Sequence, residues 1–267
     1  MEPHFCGEAL YGNDFGLEEI RRWYREEEDA YANIEGSDLA GGHYSYDGVN
    51  DWYAWRYIRA QRRKFPHCVA LGGARGDDVA PIAPLVNHFT VIEPFRGFWT
   101  DEIAGKRARY LAPEISGEIA LPTASVDLMT SLGTLHHIAN VSFVIREIGR
   151  ALVPGGLLVL REPIHSMGDW RRPRDGKTRN ERGIPVPLMK SWLKAAHLEL
   201  LRVRYCIFAP LERLRRAPLG RDLWNYRWIL PLDELLSSAF SWNDVYLRTN
   251  FFQKIAPGAA YMIARRT

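Results

Sequence analysis

The run Gly72-Gly73-Ala74-Arg75-Gly76-Asp77 constrains this chain more than any other stretch. It follows a short apolar segment of strand length, His67 to Leu71, and precedes a second, Phe89 to Ile92, that ends in Glu93. Glycines let a backbone turn tightly and let a ligand approach the main chain. The interval from Gly76 to Glu93 is close to the roughly 20 residues expected between a dinucleotide-type glycine loop and its ribose-binding acid. Ribose hydroxyls donate and an ionised carboxylate only accepts, so an acid at that strand end can hold both.

The rest of the chain fits one large α/β domain with appendages. Its 267 residues, 46% hydrophobic and 25% charged, have the composition of an ordinary globular protein. No apolar run approaches the ~18 residues of a membrane span, and the first residues show no signal-peptide pattern. Cys6, Cys68 and Cys206 are scattered and odd in number, which argues for a reducing, cytoplasmic setting and against a disulfide framework or zinc site. The net charge of +3 does not by itself indicate nucleic acid.

Residues 1–66 read as an N-terminal helical cap. Leu17 to Ala30 has Leu17, Ile20 and Trp23 or Tyr24 on one face and a glutamate run on the other. Ala40 to Asn50 reads as a loop, and Asn50 or Asp51 caps a second helix through Trp52, Trp55 and Ile58. From His67 strands and helices alternate, the signature of a parallel sheet. Leu121–Met129 reads as a turn leading into another buried strand, and further strands are expected at Leu157–Leu160, Leu198–Phe208 and Ala259–Ala264, the last two as an antiparallel pair. Val141 to Leu152 is an amphipathic helix stopped by Pro154-Gly155-Gly156.

These segments, in this order, resemble the class I S-adenosylmethionine-dependent methyltransferases, in particular the small-molecule, UbiE-like "methyltransferase type 11" group. The resemblance rests on Val69 to Gly76, Val91-Ile92-Glu93, Leu121-Pro122 through Asp127, Leu135-His136-His137, and Ile148 to Glu162 with its Pro154-Gly155-Gly156. It implies a Rossmann-like, seven-stranded, mostly parallel sheet with helices on both faces, the domain spanning 67–267 with a basic lid-like loop at 166–184 and an insert at 210–255. It implies S-adenosyl-L-methionine as cofactor, with Gly72, Gly73 and Gly76 beside the methionine part and Glu93 with Pro94 at the ribose. Segment 115–118 would lie along the adenine, and Ser131 and Leu132 would line the floor. Three positions depart from the pattern: Ala70 where an acid often ends the first strand, Ala74 at the middle glycine, and Ile115 where an aspartate often meets the adenine amine, leaving Glu114 or Glu118 to substitute.

Methyl transfer needs an oriented nucleophile and, for a hydroxyl acceptor, a base of near-neutral pKa. His136, His137, Glu162 and His165 stand at carboxyl ends of strands, where open α/β sheets bind ligands, and are the catalytic candidates. His137 has an alternative role in the cofactor shell. The run from Trp170 to Gly183 is basic and reads as a flexible lid, with Arg171 and Arg172 able to hold an anionic group on the acceptor, or as a solvated loop. Tyr44 and Tyr46 can fold over the site. Arginines interleaved with Trp224, Tyr226, Trp228 and Trp242 suit stacking on a sugar or base, a homodimer face, or ordinary core helices.

The expected activity is O-methylation of a small molecule or glycan, with no metal. Nucleic acid is disfavoured: the Asn-Pro-Pro-Tyr motif is absent and no RNA-binding module accompanies the arginines, although an RNA methyltransferase is an alternative. A nicotinamide-dependent oxidoreductase lacks its Gly-x-Gly-x-x-Gly spacing. A non-catalytic, methyltransferase-like partner protein is the third alternative, kept by Ala70 and Ala74.

Overall fold

The computed structural model describes residues 2–33, 44–172, 174, 177–216 and 222–267. Parts of three sequence-defined regions lie outside the described residues: 34–43 of the cap and its loop, 173, 175 and 176 of the basic run, and 217–221 of the insert.

Eight strands form one sheet: β1 (Phe65–Leu71), β2 (Val86–Ile92), β3 (Glu102–Ile103), β4 (Lys106–Leu111), β5 (Val126–Leu132), β6 (Leu152–Pro163), β7 (Leu198–Phe208) and β8 (Pro257–Arg266). Their spatial order is β3-β4-β2-β1-β5-β6-β8-β7. The pairs β4–β2, β2–β1, β1–β5 and β5–β6 are parallel, whereas β8 runs antiparallel to both β6 and β7. The sheet is Rossmann-like, with one strand more than expected. The addition is the two-residue β3, which turns back onto β4 through Ala104 and Gly105, both at positive φ. So short a pairing leaves no hydrophobic period in the sequence.

Alternation along the strands builds two cores. Cys68 and Ala70 of β1 face one side, and Val69 and Leu71 the other. The first core is closed by Val49, Tyr53, Trp55 and Ile58 from residues 47–60 and by Trp224 and Ile229. The second is closed by Val144, Ile145 and Ile148 of helix Val141–Ala151 and by Met189 and Leu193 of helix Val186–Ala195. Each fully buried side chain of this size contributes roughly 1.5–3 kcal/mol.

Two local expectations are corrected. The second helix starts at Asp47 and contains a π-helical turn over Asp51–Trp55, so Asn50 is buried inside the helical segment and caps nothing. After β1 no full helix forms: the chain makes turns and a short 3-10 helix, Ala80–Leu85, in which Pro81 and Pro84 remove backbone donors. No helix among the described residues is long and apolar enough to cross a membrane.

Helix Leu17–Asn33 lies over the carboxyl ends of the strands. Ile20 and Trp23 pack there with Ala139, and Trp23 donates its indole N–H to the His137 carbonyl at 2.7 Å. The Arg182 guanidinium is fully buried beneath it and donates to the carbonyls of Tyr11 (2.9 Å), His136 (2.8 Å), Ile138 (2.9 Å) and Ala139 (3.0 Å). Arg182 therefore joins the N-terminal cap to the turn after β5.

Candidate active site

The glycine loop leaves β1 with Gly72 at φ +68° and Gly76 at φ +84°, the left-handed region that L side chains rarely adopt. A Cβ at Gly72 would fall inside the Thr134 side chain, and one at Gly76 inside that of Ile103. Gly73 has ordinary φ, yet its Cβ would come within 2.7 Å of the Ala70 methyl. Glu93, at the end of β2, accepts from the Ala74 N–H at 3.1 Å and the Phe95 N–H at 3.0 Å. Burial raises its pKa, and those two donors oppose the rise. Each carboxylate oxygen retains a lone pair. This set fits an adenosyl ligand: a cradle without side chains and a ribose acceptor. Pro94 beside it is exposed.

Segment 115–118, expected along the adenine, is tied to its neighbours by hydrogen bonds. Asn140 donates to the Ser116 carbonyl at 2.7 Å, and the Glu118 N–H donates to Ser116 Oγ at 3.2 Å. Glu118 and Ile115 are both exposed. On the floor, Ser131 is fully buried, and the Leu132 carbonyl accepts from Arg161 at 3.0 Å.

Glu162 organises the turn over Thr134 to His136. Its carboxylate accepts from the backbone N–H groups of Thr134 (3.1 Å), Leu135 (2.9 Å) and His136 (3.3 Å), from Ser131 Oγ (3.4 Å) and from His136 Nδ1 (2.8 Å). A carboxylate only accepts, so His136 Nδ1 carries hydrogen and neutral His136 presents Nε2 as its lone pair. Burial first, and then neighbouring His137, lower the His136 pKa against the opposing pull of Glu162 and Glu181. His136 is therefore kept neutral with its basic nitrogen oriented. The pair has the arrangement of an imidazole oriented by an acid, and the strand-end position of the two residues was its signal in the sequence.

His137 points the other way: its Nδ1 is 3.0 Å from Glu27 on the cap helix, and its ring lies 4.0 Å from that of His136. Ligand atoms of His136, His137 and Glu181 all lie within 4.8 Å of one another, a geometry in which a metal ion could be held. The Lys177 ammonium already sits 3.2 Å from Glu181, and fully buried Arg182 lies beneath the same turn. This neighbourhood is thus already supplied with cations.

His165 is not brought to this group. Its Nδ1 accepts from the Met167 N–H at 3.0 Å, its carbonyl accepts from Gly183, and burial together with Arg248 lowers its pKa to about 3. A ring nitrogen that accepts a backbone N–H is unprotonated, in keeping with that direction.

The basic run differs from a flexible lid over its described residues. Thr178 and Asn180 through Ile184 are buried, and Asn180 bonds to Glu26 and Glu27 of the cap helix. Arg171 is exposed and bound through two nitrogens to Asp169, each at 2.8 Å, with its guanidinium over the Phe5 ring. Arg172 is 84% exposed and 4.0 Å from the same carboxylate. Neither arginine turns toward the strand ends; Arg182 does. Tyr44 and Tyr46 cover another group: Asn50 donates to Tyr44 Oη at 2.8 Å, and the Arg161 guanidinium lies over the Tyr46 ring at 4.2 Å.

Sequence reasoning passed over Arg161 and Asp78. Arg161, on β6, is buried and donates to Asn50 Oδ1 at 3.0 Å, an oxygen that also accepts from Tyr261. Asp78, two residues past Gly76, is buried beside the glycine loop, and its pKa is raised to about 7, with desolvation the largest cause. A charged residue inside an apolar strand end was the one available signal for Arg161; Asp78 gave none.

Residues 72–160 match a family model described as a methyltransferase domain. A curated relative from Rubrivivax gelatinosus, named ubiquinone/menaquinone biosynthesis C-methyltransferase, is 29% identical over 138 residues, covering 48% of this chain and 55% of its own length. The chain thus spans about half the length of that relative. Among solved structures, the 1,6-didemethyltoxoflavin-N1-methyltransferase of Burkholderia thailandensis, with 1,6-didemethyltoxoflavin and S-adenosylhomocysteine bound, is 15% identical, covers 95% of this chain and 91% of that one, and superposes with a TM-score of 0.57. The cyclase SpnF is 17% identical, covers 94% and 96%, and has a TM-score of 0.53. These structural likenesses concern the fold.

Proposed function

We propose that this chain, whose residues 72–160 match a methyltransferase-domain model, is a class I S-adenosylmethionine-dependent methyltransferase that methylates an oxygen of a small molecule or glycan, with His136 as proton acceptor and Glu162 as its orienting partner. The observation that carries the reading is the Glu162–His136 pair, a buried neutral imidazole of fixed tautomer at the strand ends, where Gly72 packs against the same turn through Thr134.

The bound cofactor supplies a methyl group on a sulfonium, already activated for in-line displacement. The protein's residues do the rest. Gly72 and Gly76 admit the ligand to the main chain, and Glu93 accepts from ribose hydroxyls. The cap helix, Trp23 and Arg182 exclude water from the turn. His136 Nε2 takes the acceptor's hydroxyl proton as oxygen forms its bond to carbon, and Glu162 stabilises the resulting imidazolium. Such assistance contributes about 10²–10⁴-fold. His137, bound to Glu27, fixes the cap rather than touching the acceptor, and His165 supports the loop that follows β6.

A second reading, methylation at carbon, follows the name of the Rubrivivax relative and uses the same base to remove a ring proton. Incubation with S-adenosylmethionine and panels of phenols, sugars and quinols separates the two, with S-adenosylhomocysteine release and product mass as readouts. Methyl ethers sustain the first reading and C-methylated quinols the second. Product formation undiminished in His136→Asn would remove the base assignment, and cofactor binding without product in any panel would remove both readings.

A further inference from the structure

Asp78 and Arg161 are opposite charges buried on the same face of the sheet, and they do not pair. Asp78 Oδ1 has no hydrogen-bond partner among the described residues, although the side chain is more than nine-tenths buried. Arg161 is the largest favourable charge acting on it, yet no ion pair joins them within 4.0 Å. Tyr44 stands in the field of both, bonded to Asn50, which in turn holds Arg161. The Val79 backbone N–H donates to this carboxylate, but its Oδ1 is left without a partner in a buried site, a costly arrangement that points to a ligand cation.

The position narrows the ligand. Asp78 Oδ1 lies 3.6 Å from where a Cβ on Gly73 would stand, and that same point is 2.7 Å from the Ala70 methyl. Asp78 therefore reaches across the middle of the glycine loop from the far side, beside the strand-end position that holds Ala70 in place of an acid. Arg161 approaches from β6, past Gly133, whose Cβ would stand 3.4 Å from its guanidinium.

We propose that Asp78 and Arg161 hold the zwitterionic amino-acid end of the cofactor: Asp78 accepts from its α-ammonium, and Arg161, with Tyr44, donates to its α-carboxylate. The assignment rests on the methyltransferase reading and adds to it the two residues that recognise the methionine part. A zwitterion between them answers both charges at once, which neither water-excluded group achieves alone. It makes Asp78 the carboxylate that this chain lacks at position 70. It also predicts discrimination: ligands missing one of the two charges lose affinity through one named residue.

The test is calorimetry of three ligands on the full chain: S-adenosylhomocysteine, its analogue lacking the α-amino group, and its decarboxylated analogue. Wild type binds S-adenosylhomocysteine at least about tenfold more tightly than the deaminated analogue. Asp78→Asn, which is isosteric and removes a buried charge, folds with undiminished thermal stability. It loses about tenfold or more on S-adenosylhomocysteine and less than about threefold on the deaminated analogue. Glu93→Ala serves as the contrast and weakens all three ligands alike. Arg161→Lys, which keeps the charge, loses the distinction between S-adenosylhomocysteine and the decarboxylated form. Equal losses on all ligands in Asp78→Asn, or no loss at all, overturn the assignment while leaving the cofactor reading intact. Failure of wild type to bind S-adenosylhomocysteine overturns that reading itself.

Discussion

The two halves of the site are built differently. The glycine-loop half is local: Gly72, Gly76, Ala74 and Glu93 come from two adjacent strands and the turn between them, and backbone groups make its contacts. The histidine half is assembled from afar: Glu27, His136, Glu162, Glu181 and Arg182 come from the cap, from two strand ends and from the loop after β6, and charged side chains make its contacts. A site made of backbone tolerates side-chain change except where a Cβ intrudes. A site made of buried charges depends on every partner being present, because removing one leaves another without compensation.

That contrast can be broken most severely at the base. His136→Asn is expected to lower kcat/KM by about 10²–10⁴-fold with cofactor affinity unchanged. In wild type the neutral form is the active one, and burial lowers the pKa. Activity therefore falls with acidification only below the ordinary histidine value of about 6.5, a limb absent from the variant's pH profile. Glu162→Ala removes the acceptor of three backbone N–H groups, and urea unfolding should show a loss of roughly 3–4 kcal/mol. Glu93→Ala touches the other half and should weaken S-adenosylhomocysteine by roughly 1.5–3 kcal/mol in calorimetry, with folding little changed.

A subtler test uses acid. His165 has a folded pKa depressed to about 3, so between its unfolded value near 6.5 and that point the unfolded chain binds the extra proton. Stability should therefore drop as pH falls through this window, by at most about 1.4 kcal/mol per unit, and His165→Gln should flatten the slope of urea midpoints. The smallest effect is expected at Arg172, whose exposed contact with Asp169 is worth less than about 0.5 kcal/mol. A large loss of acceptor affinity in Arg172→Ala would instead revive the loop as a recognition element.

Legibility in the sequence follows the same division. The parallel strands, the glycine loop and the strand-end acid were readable because each is written in consecutive residues with a characteristic period or spacing. His136 and Glu162 were singled out by position, with Glu162 able to orient any one of the histidines; which one it meets was not legible, since strand order decides which ends meet. The cap helix was visible as an amphipathic stretch, whereas the burial of Glu27 against His137 was hidden inside a glutamate run that reads as a solvated face. The basic run misled for a similar reason. Arginine density resembles a solvated surface loop, and nothing local marks Arg182 as the one that turns inward to four carbonyls. Asp78 gave no periodic or spacing signal at all.

Arg182 also orders events in time. Its carbonyl partner at Tyr11 is 171 positions away, and Trp23 reaches 114 positions forward to His137. A chain emerging from the ribosome exposes these aromatic residues long before the segment that receives them exists. The cap must wait, undocked, until well over half of the sheet has been synthesised, and such distant closures are slow to find. The contact that seals the histidine turn cannot form before residue 182 has been made, so a nascent chain halted short of it would leave that turn without its buried guanidinium.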